Sequence, residues 1–305
     1  MRQSLRPQDT IAMPDSLSHF ALIEPAPAKV NLALAVTGRR ADGYHLLDSL
    51  VTFTAFSDRI GLSPAKEDRF TLSGPFAGTL AAEGDNLVTR ARDRLRDVLG
   101  GAPAVHIHLE KNLPVASGIG GGSADAAATL RGLLKLWKVG LPHDALDALA
   151  LGLGADVPMC LASRPLIARG IGEAITPLDL PPLAMVLANP LVGVSTPAVF
   201  KALASPDNPP LALEGASADW PAAIAGLRND LEPPARQLCP EIARISESLG
   251  ETEASTVRMS GSGATCFGLY PSLEAADAAA AALSRRHPHW FFAATTTLGA
   301  ADGAH

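Results

Sequence analysis

The sequence predicts an α+β fold of two domains, in which a mixed α/β domain precedes a ferredoxin-like βαββαβ domain. The chain has 305 residues, whereas one domain usually holds about 100 to 200. Strand and helix patterns alternate around a glycine-rich loop in the first half, and the second half follows the order of a split βαβ fold. The proline-rich stretch 175–182 lies between the two halves. We therefore expect an N-terminal domain at 20–176 and a C-terminal domain at 177–305.

Composition and charge argue against several classes of protein. The net charge is −6, so a nucleic-acid-binding surface is not expected. The longest apolar stretch, 180–200, contains four prolines and cannot be a membrane-spanning helix. The three cysteines are widely separated, so we expect free thiols rather than a zinc site or a redox pair.

Residues 1–19 are expected to be a poorly ordered extension. They are mostly polar, carry scattered charges and lack the apolar run of a signal peptide. We therefore expect the chain to remain in the cytoplasm, without a membrane partner.

Apolar periodicity predicts the elements of the first half. Residues 28–36 alternate as a half-buried strand, with Val30 and Leu32 on one face and Lys29 and Asn31 on the open face. The other predicted elements are a turn at 40–43, a strand at 50–56, a helix at 87–99 capped by Asp85-Asn86, a strand at 104–109, and a helix after the glycine-rich loop.

The second half predicts four strands and two helices. After the first strand the sequence makes a long excursion that is rich in proline and alanine. The predicted elements are strands at 183–188, 255–259, 264–270 and 290–298, and helices at 241–249 and 272–285.

The glycine-rich loop at 118–122 is the strongest local signal of a binding site. Its four glycines expose backbone N–H groups, and the next helix is expected to begin at Ser123 as N-cap, with Asp125 as a first-turn acid. Unpaired amides and the helix dipole together attract an anion such as a phosphate. The patterns G-x-x-x-x-G-K-[ST] and G-x-G-x-x-G do not fit this loop. A glycine-rich turn without a ligand remains an alternative.

Other candidate functional residues each have a simpler structural interpretation. Lys29 could be a solvated charge at a strand edge, and Asp156 could begin a short helix before Pro158. The glycine-rich segment 260–264 could be a plain hairpin turn. His106 and His108 share one strand face, but no third ligand has suitable spacing, so a metal site is not expected there.

Taken together, the segments at 28–31, 114–124, 154–158 and 260–264 resemble the motifs of the GHMP kinases. This resemblance implies the two-domain GHMP kinase architecture, with ATP as co-substrate and Mg²⁺ bridging its phosphates. The sequence assigns no carboxylate to the metal, and Ser123 is a possible ligand. The resemblance also implies that the loop encloses the nucleotide with the residues Pro114, Val115, Ala116, Ser117, Gly118, Ile119, Gly120, Gly121, Gly122, Ser123 and Ala124.

The segments 27–32, 38–45 and 229–232 are similar to one branch of that family. The branch phosphorylates a cytidine diphosphate alcohol on the non-mevalonate route to isoprenoid precursors. The resemblance implies that Lys29 and Asp156 are the catalytic pair. Asp156 would take the proton of the attacking hydroxyl, and Lys29 would stabilise the carboxylate charge and help to hold the hydroxyl in line.

The same resemblance implies where the alcohol binds. Tyr44 and His45 would lie at the cytosine end, where a phenol ring can stack on the base and an imidazole can hydrogen-bond its edge. Phe200 would supply the opposite aromatic wall, and Asn31 would contact the substrate beside Lys29. A hairpin-closing role is the structural alternative for Tyr44.

Three other functions remain open from the sequence. The first is a GHMP kinase for another small alcohol, such as homoserine or mevalonate, although a cytidine-reading segment would be useless for those substrates. The second is a non-catalytic nucleotide-binding protein of the same fold, which would need neither Lys29 nor Asp156. The third, a dinucleotide-dependent oxidoreductase, predicts that the loop binds NAD. The oligomeric state is not predicted.

Overall fold

The first sheet and its helices are formed by the first half of the chain. The computed structural model describes residues 17–81, 86–115, 117–213 and 219–299. In the first half these residues form β1 (Leu22–Arg39), β2 (His45–Pro64), β3 (Arg69–Ser73), α1 (Ala77–Ala81), α2 (Leu87–Val98), β4 (Val105–Glu110), α3 (Gly121–Trp137), α4 (His143–Leu153), α5 (Val157–Ala162), β5 (Leu166–Gly170) and β6 (Ala174–Pro177).

The long antiparallel pair of β1 and β2 organises this sheet. The strand order is β3-β4-β2-β5-β6, with β1 also paired to β2. Residues 59–64 of β2 pair with β4, and residues 47–51 pair with β5, so β2 carries partners at both ends. The apolar faces of α2 and α3 pack on the sheet through Val88, Leu95 and Leu130, which are fully buried.

The second sheet is the predicted ferredoxin-like one. Its elements are β7 (Ala184–Asn189), α6 (Thr196–Lys201), α7 (Trp220–Ala225), α8 (Glu232–Leu238), α9 (Glu241–Gly250), β8 (Thr256–Met259), β9 (Cys266–Tyr270), α10 (Leu273–Arg286) and β10 (Phe291–Thr296). The order is β10-β7-β9-β8 and every pairing is antiparallel. This confirms the predicted βαββαβ order. The described part of the proline- and alanine-rich excursion contains three short helices, α6 to α8, which the sequence did not predict.

The two sheets share part of their hydrophobic core. Alternate residues of β7 point to opposite sides of the second sheet, as a period of two requires. Val186 packs with α9 and α10, whereas Met185 and Leu187 pack with Val30 and Leu32 of β1. The strand that carries Lys29 and Asn31 is therefore covered by the second half of the chain. The domain boundary near residue 176 stays a prediction.

Burial of β1 corrects the predicted half-buried strand. Lys29 and Asn31, expected on an open face, are only 6% and 4% exposed. The register of β1 shifts between Pro27 and Lys29 and again between Asn31 and Ala33. Bulges of this kind change the direction in which side chains point. The alternation of apolar and polar residues in the sequence cannot reveal such bulges, because it depends only on the order of the residues.

The N-terminal end of the described chain also packs against the sheet. Leu17 is fully buried, and a Cβ added to Gly61 would lie 2.6 Å from its Cδ2. The ring centroid of Phe20 lies 4.9 Å from that of His106. The predicted extension is therefore too long, because residues 17–19 belong to the folded protein. Residues 1–16 lie outside the described residues.

Two helix starts test the predicted caps. At α2 the side chain of Asn86 accepts a hydrogen bond from the N–H of Val88 at 2.8 Å, which confirms the cap. At α3 the predicted N-cap, Ser123, is wrong. The N–H of Ala124 already donates to the carbonyl of Gly120 at 2.8 Å, so the helix includes the last glycines and its N-cap is Gly120.

Two further observations concern the cysteines and the membrane. Cys160, Cys239 and Cys266 are buried free thiols. Among the helices of the described residues, none is long and apolar enough to cross a bilayer.

His106 and His108 are part of a polar cluster at the edge of the first sheet. Thr71 Oγ1 lies 2.8 Å from His106 Nε2 and 2.8 Å from His108 Nδ1, and Ser73 Oγ lies 2.8 Å from His108 Nε2. Burial lowers the pKa of both imidazoles. The charge of Arg69 lowers the pKa of His106 further, and His106 does the same to the pKa of His108. Folding therefore favours the neutral rings.

This cluster predicts a loss of stability in mild acid. Because the two pKa values are below the value of about 6.5 expected in the unfolded chain, the stabilisation is complete above that pH and is lost as pH falls through the folded values. Urea unfolding should give a free energy of unfolding that falls as the pH is lowered from about 6.5. The double variant His106→Gln/His108→Gln should show a smaller fall. Equal slopes in both proteins would contradict this account.

Candidate active site

A cavity of about 1270 Å³ lies where residues of both halves of the chain meet. Its floor includes Lys29, Asn31 and Asp156, and the turn before β2 forms one end. Two glycine-rich segments, the loop before α3 and the turn between β8 and β9, form another wall. The second half of the chain also contributes Val194, Thr196, Phe200 and Lys201.

Lys29 and Asp156 form an ion pair on the floor of the cavity. Lys29 Nζ lies 2.9 Å from Asp156 Oδ2, and the Asp156 side chain keeps 38% of its surface exposed. Asp156 stands at the N-cap position of α5, but its side chain makes no capping hydrogen bond. The helix-start interpretation is therefore correct for the backbone alone, and the carboxylate faces the lysine. The two predicted catalytic residues, 127 positions apart, are brought together.

Lys29 is also fixed against the glycine-rich loop. Its N–H donates to the carbonyl of Ile119 at 2.9 Å. A Cβ added to Gly120 would lie 3.2 Å from the Cβ of Lys29, so the lysine stem passes directly beside the loop backbone. The cation of the ion pair is thus next to the segment that the sequence assigned to the triphosphate.

The predicted nucleotide loop divides into lining residues and supporting residues. Ile119 and Ala124 are buried in two separate clusters of the core and anchor the loop instead of lining the cavity. Pro114 accepts a hydrogen bond from the hydroxyl of Ser117 at 2.6 Å, and neither Pro114 nor Val115 lines the cavity. Ala116 lies outside the described residues. The lining residues are Ser117, Gly118, Gly120, Gly121, Gly122 and Ser123.

The late glycine-rich segment packs directly on this loop. The N–H of Thr265 donates to the carbonyl of Ser117 at 3.1 Å. The hydroxyl of Ser260 donates to the carbonyl of Gly118 at 3.1 Å and accepts from the N–H of Asn31 at 3.0 Å. The segment is a hairpin turn, as the simpler interpretation had it, and it also joins the loop to β1.

Aromatic rings line the end of the cavity that was assigned to cytosine. The rings of His45 and Phe200 are stacked, with centroids 4.7 Å apart and an interplanar angle of 22°. Tyr44 lines the same end but is 60% exposed, so it does not close the hairpin by packing. Burial lowers the pKa of His45, and the charge of Arg39 lowers it further, so the ring is neutral at pH 7.

Asn31 lies in the cavity wall with its amide held by Ser49. The hydroxyl of Ser49 donates its proton to the carbonyl of Ala33 at 2.7 Å, so it can only accept from Asn31 Nδ2, at 2.8 Å. The four residues assigned to the alcohol, Asn31, Tyr44, His45 and Phe200, therefore all line the same cavity as the catalytic pair.

A buried charge cluster beneath the loop was missed by the sequence reasoning. Lys111 Nζ lies 2.5 Å from Asp58 Oδ2 and 2.7 Å from Asp125 Oδ2. Asp58 also accepts from the N–H groups of Asn112 and Leu113, just before the loop. The cluster therefore holds both ends of the loop, and Asp125 is an ion-pair partner instead of the first-turn acid that was predicted.

Burial and charge act in opposite directions on the protonation of this cluster. It raises the pKa of Asp125 well above its usual value, although the charge of Lys111 opposes that rise. Burial alone would lower the pKa of Lys111, but the charges of Asp125 and Asp58 outweigh it and raise that pKa. The only sequence signals were a lysine before the loop and an acid after it, and the third member of the cluster, Asp58, lies more than fifty positions earlier than Lys111.

Comparisons with known proteins agree with this geometry. Residues 86–164 match the GHMP kinases N terminal domain, and residues 212–289 match the GHMP kinases C terminal domain. The chain is 61% identical over 284 residues to a 4-diphosphocytidyl-2-C-methyl-D-erythritol kinase of Rhizobium etli (strain CIAT 652), covering 92% of this chain and 96% of that protein.

Solved structures give the same result. A crystal structure of 4-(cytidine 5'-diphospho)-2C-methyl-D-erythritol kinase superposes with a TM-score of 0.78 and 37% identity, covering 91% of this chain and all of that one. A homoserine kinase from Cytophaga hutchinsonii superposes with a TM-score of 0.65 but only 20% identity, over 91% of this chain and 94% of its own, and so shares the fold. The chain therefore belongs to the GHMP kinase family and, within it, to the 4-diphosphocytidyl-2-C-methyl-D-erythritol kinases.

Proposed function

We propose that this chain uses ATP to phosphorylate the 2-hydroxyl group of 4-diphosphocytidyl-2-C-methyl-D-erythritol, a step in isoprenoid precursor synthesis. The observation that carries the proposal is the Lys29–Asp156 pair, which lies in one cavity between a glycine-rich loop and a stacked aromatic pair. The loop suits a triphosphate and the aromatic rings suit a base. The carboxylate between them suits a reacting hydroxyl.

The loop is proposed to hold the phosphates of ATP. The first amides of a helix have no partner within the helix, and the helix dipole adds partial positive charge at the same end. In α3 these amides belong to the glycines at 121 and 122 and to Ser123, all of which line the cavity. Lys29 adds a full positive charge beside them, so the site is organised for the charge that develops during phosphoryl transfer.

The transfer is proposed to be a single in-line step. The 2-hydroxyl oxygen forms a bond to the γ-phosphorus while the bond from that phosphorus to the β,γ-bridging oxygen breaks, and ADP leaves. The hydroxyl proton passes to the carboxylate of Asp156. Lys29, 2.9 Å away, fixes the orientation of that carboxylate and stabilises negative charge at the reacting centre.

Magnesium fits an oxygen-bearing residue of the loop. In such sites Mg²⁺ keeps several waters and takes phosphate oxygens of the substrate as ligands. Ser123 lines the cavity and offers a hard oxygen ligand through its hydroxyl. We propose that Ser123 holds the ion together with waters and phosphate oxygens, while Asp156 keeps its role as base; when bound, the ion would offset the charge of the phosphates.

The aromatic end of the cavity is proposed to read cytosine. A planar base can insert between Tyr44, which is largely exposed, and Phe200. The neutral imidazole of His45 can both donate and accept a hydrogen bond, as the edge of cytosine requires. Asn31, which lines the cavity as Lys29 does, is proposed to contact the erythritol chain.

A kinase for another small alcohol is the nearest alternative. Homoserine and mevalonate have no base to stack, so they would leave the aromatic end of the cavity unused. A purely nucleotide-binding protein would not require the ion pair. The first alternative therefore does not explain the aromatic end of the cavity, and the second does not explain the ion pair.

The first prediction concerns the acceptor. With ATP and Mg²⁺, ADP should be released rapidly with 4-diphosphocytidyl-2-C-methyl-D-erythritol, and at least about a hundredfold more slowly with homoserine or mevalonate, since the lost base contacts are worth several kcal/mol. A coupled ADP assay with each alcohol measures this. Turnover with homoserine or mevalonate alone would refute the proposal, and NAD binding to the loop would favour an oxidoreductase.

The second prediction concerns the base. Asp156→Asn keeps the shape of the side chain but cannot take a proton, so kcat should fall by about 10² to 10⁴. Binding of a non-hydrolysable ATP analogue should remain within about threefold of the unaltered protein. Asp147→Asn, on the exposed face of α4, is the matched control and should retain full turnover. A kcat of Asp156→Asn within a few-fold of the unaltered value would show that another group is the base.

The third prediction concerns the aromatic wall. Phe200→Ala removes a stacking surface worth about 1 to 3 kcal/mol, so KM for the cytidine substrate should rise roughly tenfold or more. KM for ATP should not change, because the contact proposed for Phe200 is with the base of the alcohol and not with ATP. Phe200→Tyr keeps the ring and should behave like the unaltered protein. Steady-state kinetics with each substrate varied in turn measures both constants, and an unchanged KM for the alcohol would exclude this role.

A further inference from the structure

The Asn-Asp-Leu-Glu segment at 229–232 has no role in the chemistry proposed above. Three of its side chains, those of Asn229, Asp230 and Glu232, do not line the cavity. Asn229 is nonetheless only 5% exposed, and burying an amide is costly unless its hydrogen bonds are made. Its contacts therefore show what the segment does.

The amide of Asn229 holds the backbone of the late glycine-rich turn. Its Nδ2 donates to the carbonyl of Met259 at 2.7 Å and to the carbonyl of Gly261 at 2.9 Å. Its Oδ1 accepts from the N–H of Leu231 at 3.0 Å. Carbonyl oxygens only accept and the N–H only donates, so the amide can take one orientation. Both protons of the amide are donated to backbone carbonyls of the two residues that flank Ser260.

The rest of the segment ties this turn to β1. The N–H of Val36 donates to Asp230 Oδ2 at 2.8 Å, and the N–H of Asp230 donates to the carbonyl of Leu34 at 2.9 Å. Glu232 Oε2 accepts from the N–H of Met259 at 3.1 Å. The segment thus holds the turn at one side and the strand that bears Lys29 at the other.

The turn in question supports the nucleotide loop. Ser260, between the two carbonyls that Asn229 binds, donates its hydroxyl to the carbonyl of Gly118. A Cβ added to Gly118 would lie 2.5 Å from the carbonyl oxygen of Gly263, so the two backbones are in direct contact. A displacement of the turn would therefore change the shape of the loop.

We propose that Asn229 is a positioning residue for the nucleotide: it holds the turn at 259–261 so that the loop keeps the form that binds ATP. This inference rests on the proposed function only in assigning ATP to the loop. Asn229 does not line the cavity, and its influence passes through Ser260 to Gly118. Its loss should weaken the binding of ATP and leave the binding of the cytidine end almost unchanged.

The test uses Asn229→Asp, which has the same shape but replaces the donor with an oxygen facing two carbonyl oxygens. KM for ATP should rise about tenfold or more, and KM for the alcohol should stay within about threefold. Calorimetry with a non-hydrolysable ATP analogue should show the same loss without any alcohol present. Asn229→Ala also removes the donor but places no oxygen opposite the two carbonyls. It allows the same measurements to be made if Asn229→Asp does not fold.

Two control variants separate positioning from general stability. Leu283→Ala opens a cavity in the core beneath α10, away from the turn, and should lower Tm without changing either KM. Asn208→Asp makes the same change in an amide that also donates to two carbonyl oxygens, those of Val36 and Ser205, but does not line the cavity, and it should bind ATP normally.

The outcomes distinguish this inference from the proposed function. If the Asn229 variants only lower Tm, as Leu283→Ala does, and bind the ATP analogue normally, the inference is wrong. If the unaltered chain binds the analogue but does not phosphorylate the cytidine alcohol, the proposed function is wrong, and the calorimetry still tests Asn229.

Discussion

The direct contact of two backbone turns is the constraint on which the site depends. The loop before α3 and the turn between β8 and β9 approach so closely at Gly118 that any side chain there would collide with carbonyl oxygens of the turn. Gly118 also has a φ of 76°, a region that favours glycine. The contact is completed by the hydroxyl of Ser260, which reaches the loop and β1 together. Chain segments more than 140 positions apart thereby form one wall.

This contact explains why the reacting groups can be placed accurately. Lys29 is joined to the loop by its backbone and to Asp156 by its side chain, so the proposed phosphate-binding segment and the proposed base are both positioned by the same residue. The buried cluster around Lys111 fixes the two ends of the loop from below. Since phosphoryl transfer relies mainly on positioning and charge, a rigid arrangement of this kind is the main contribution that a protein can make.

Much of the fold could be predicted from the sequence, and the site only in part. Apolar residues that recur every 2 or every 3.6 positions predicted the ferredoxin-like order of strands and helices and the helices on either side of the loop. These elements were predictable because such patterns depend only on neighbours along the chain. The pairing of Lys29 with Asp156 came from the family resemblance. The role of Asp125 was predicted incorrectly, and the one proposed for Asn229 was not foreseen. Asp125 is bonded to Lys111, which also bonds Asp58 more than fifty positions earlier in the chain. Asn229 bonds the carbonyls of Met259 and Gly261, at least thirty positions later. Local sequence patterns contain no information about such distant contacts.

The central claim is that the ion pair stands between the donor and the acceptor of the phosphoryl group. A crystal structure with a non-hydrolysable ATP analogue and 4-diphosphocytidyl-2-C-methyl-D-erythritol tests it most directly. The 2-hydroxyl oxygen should lie about 2.6 to 3.2 Å from the Asp156 carboxylate. It should also lie about 3 to 3.5 Å from the γ-phosphorus, in line with the bond to be broken. A hydroxyl beyond hydrogen-bonding reach of Asp156, or a triphosphate bound away from the loop at 117–123, would contradict the account.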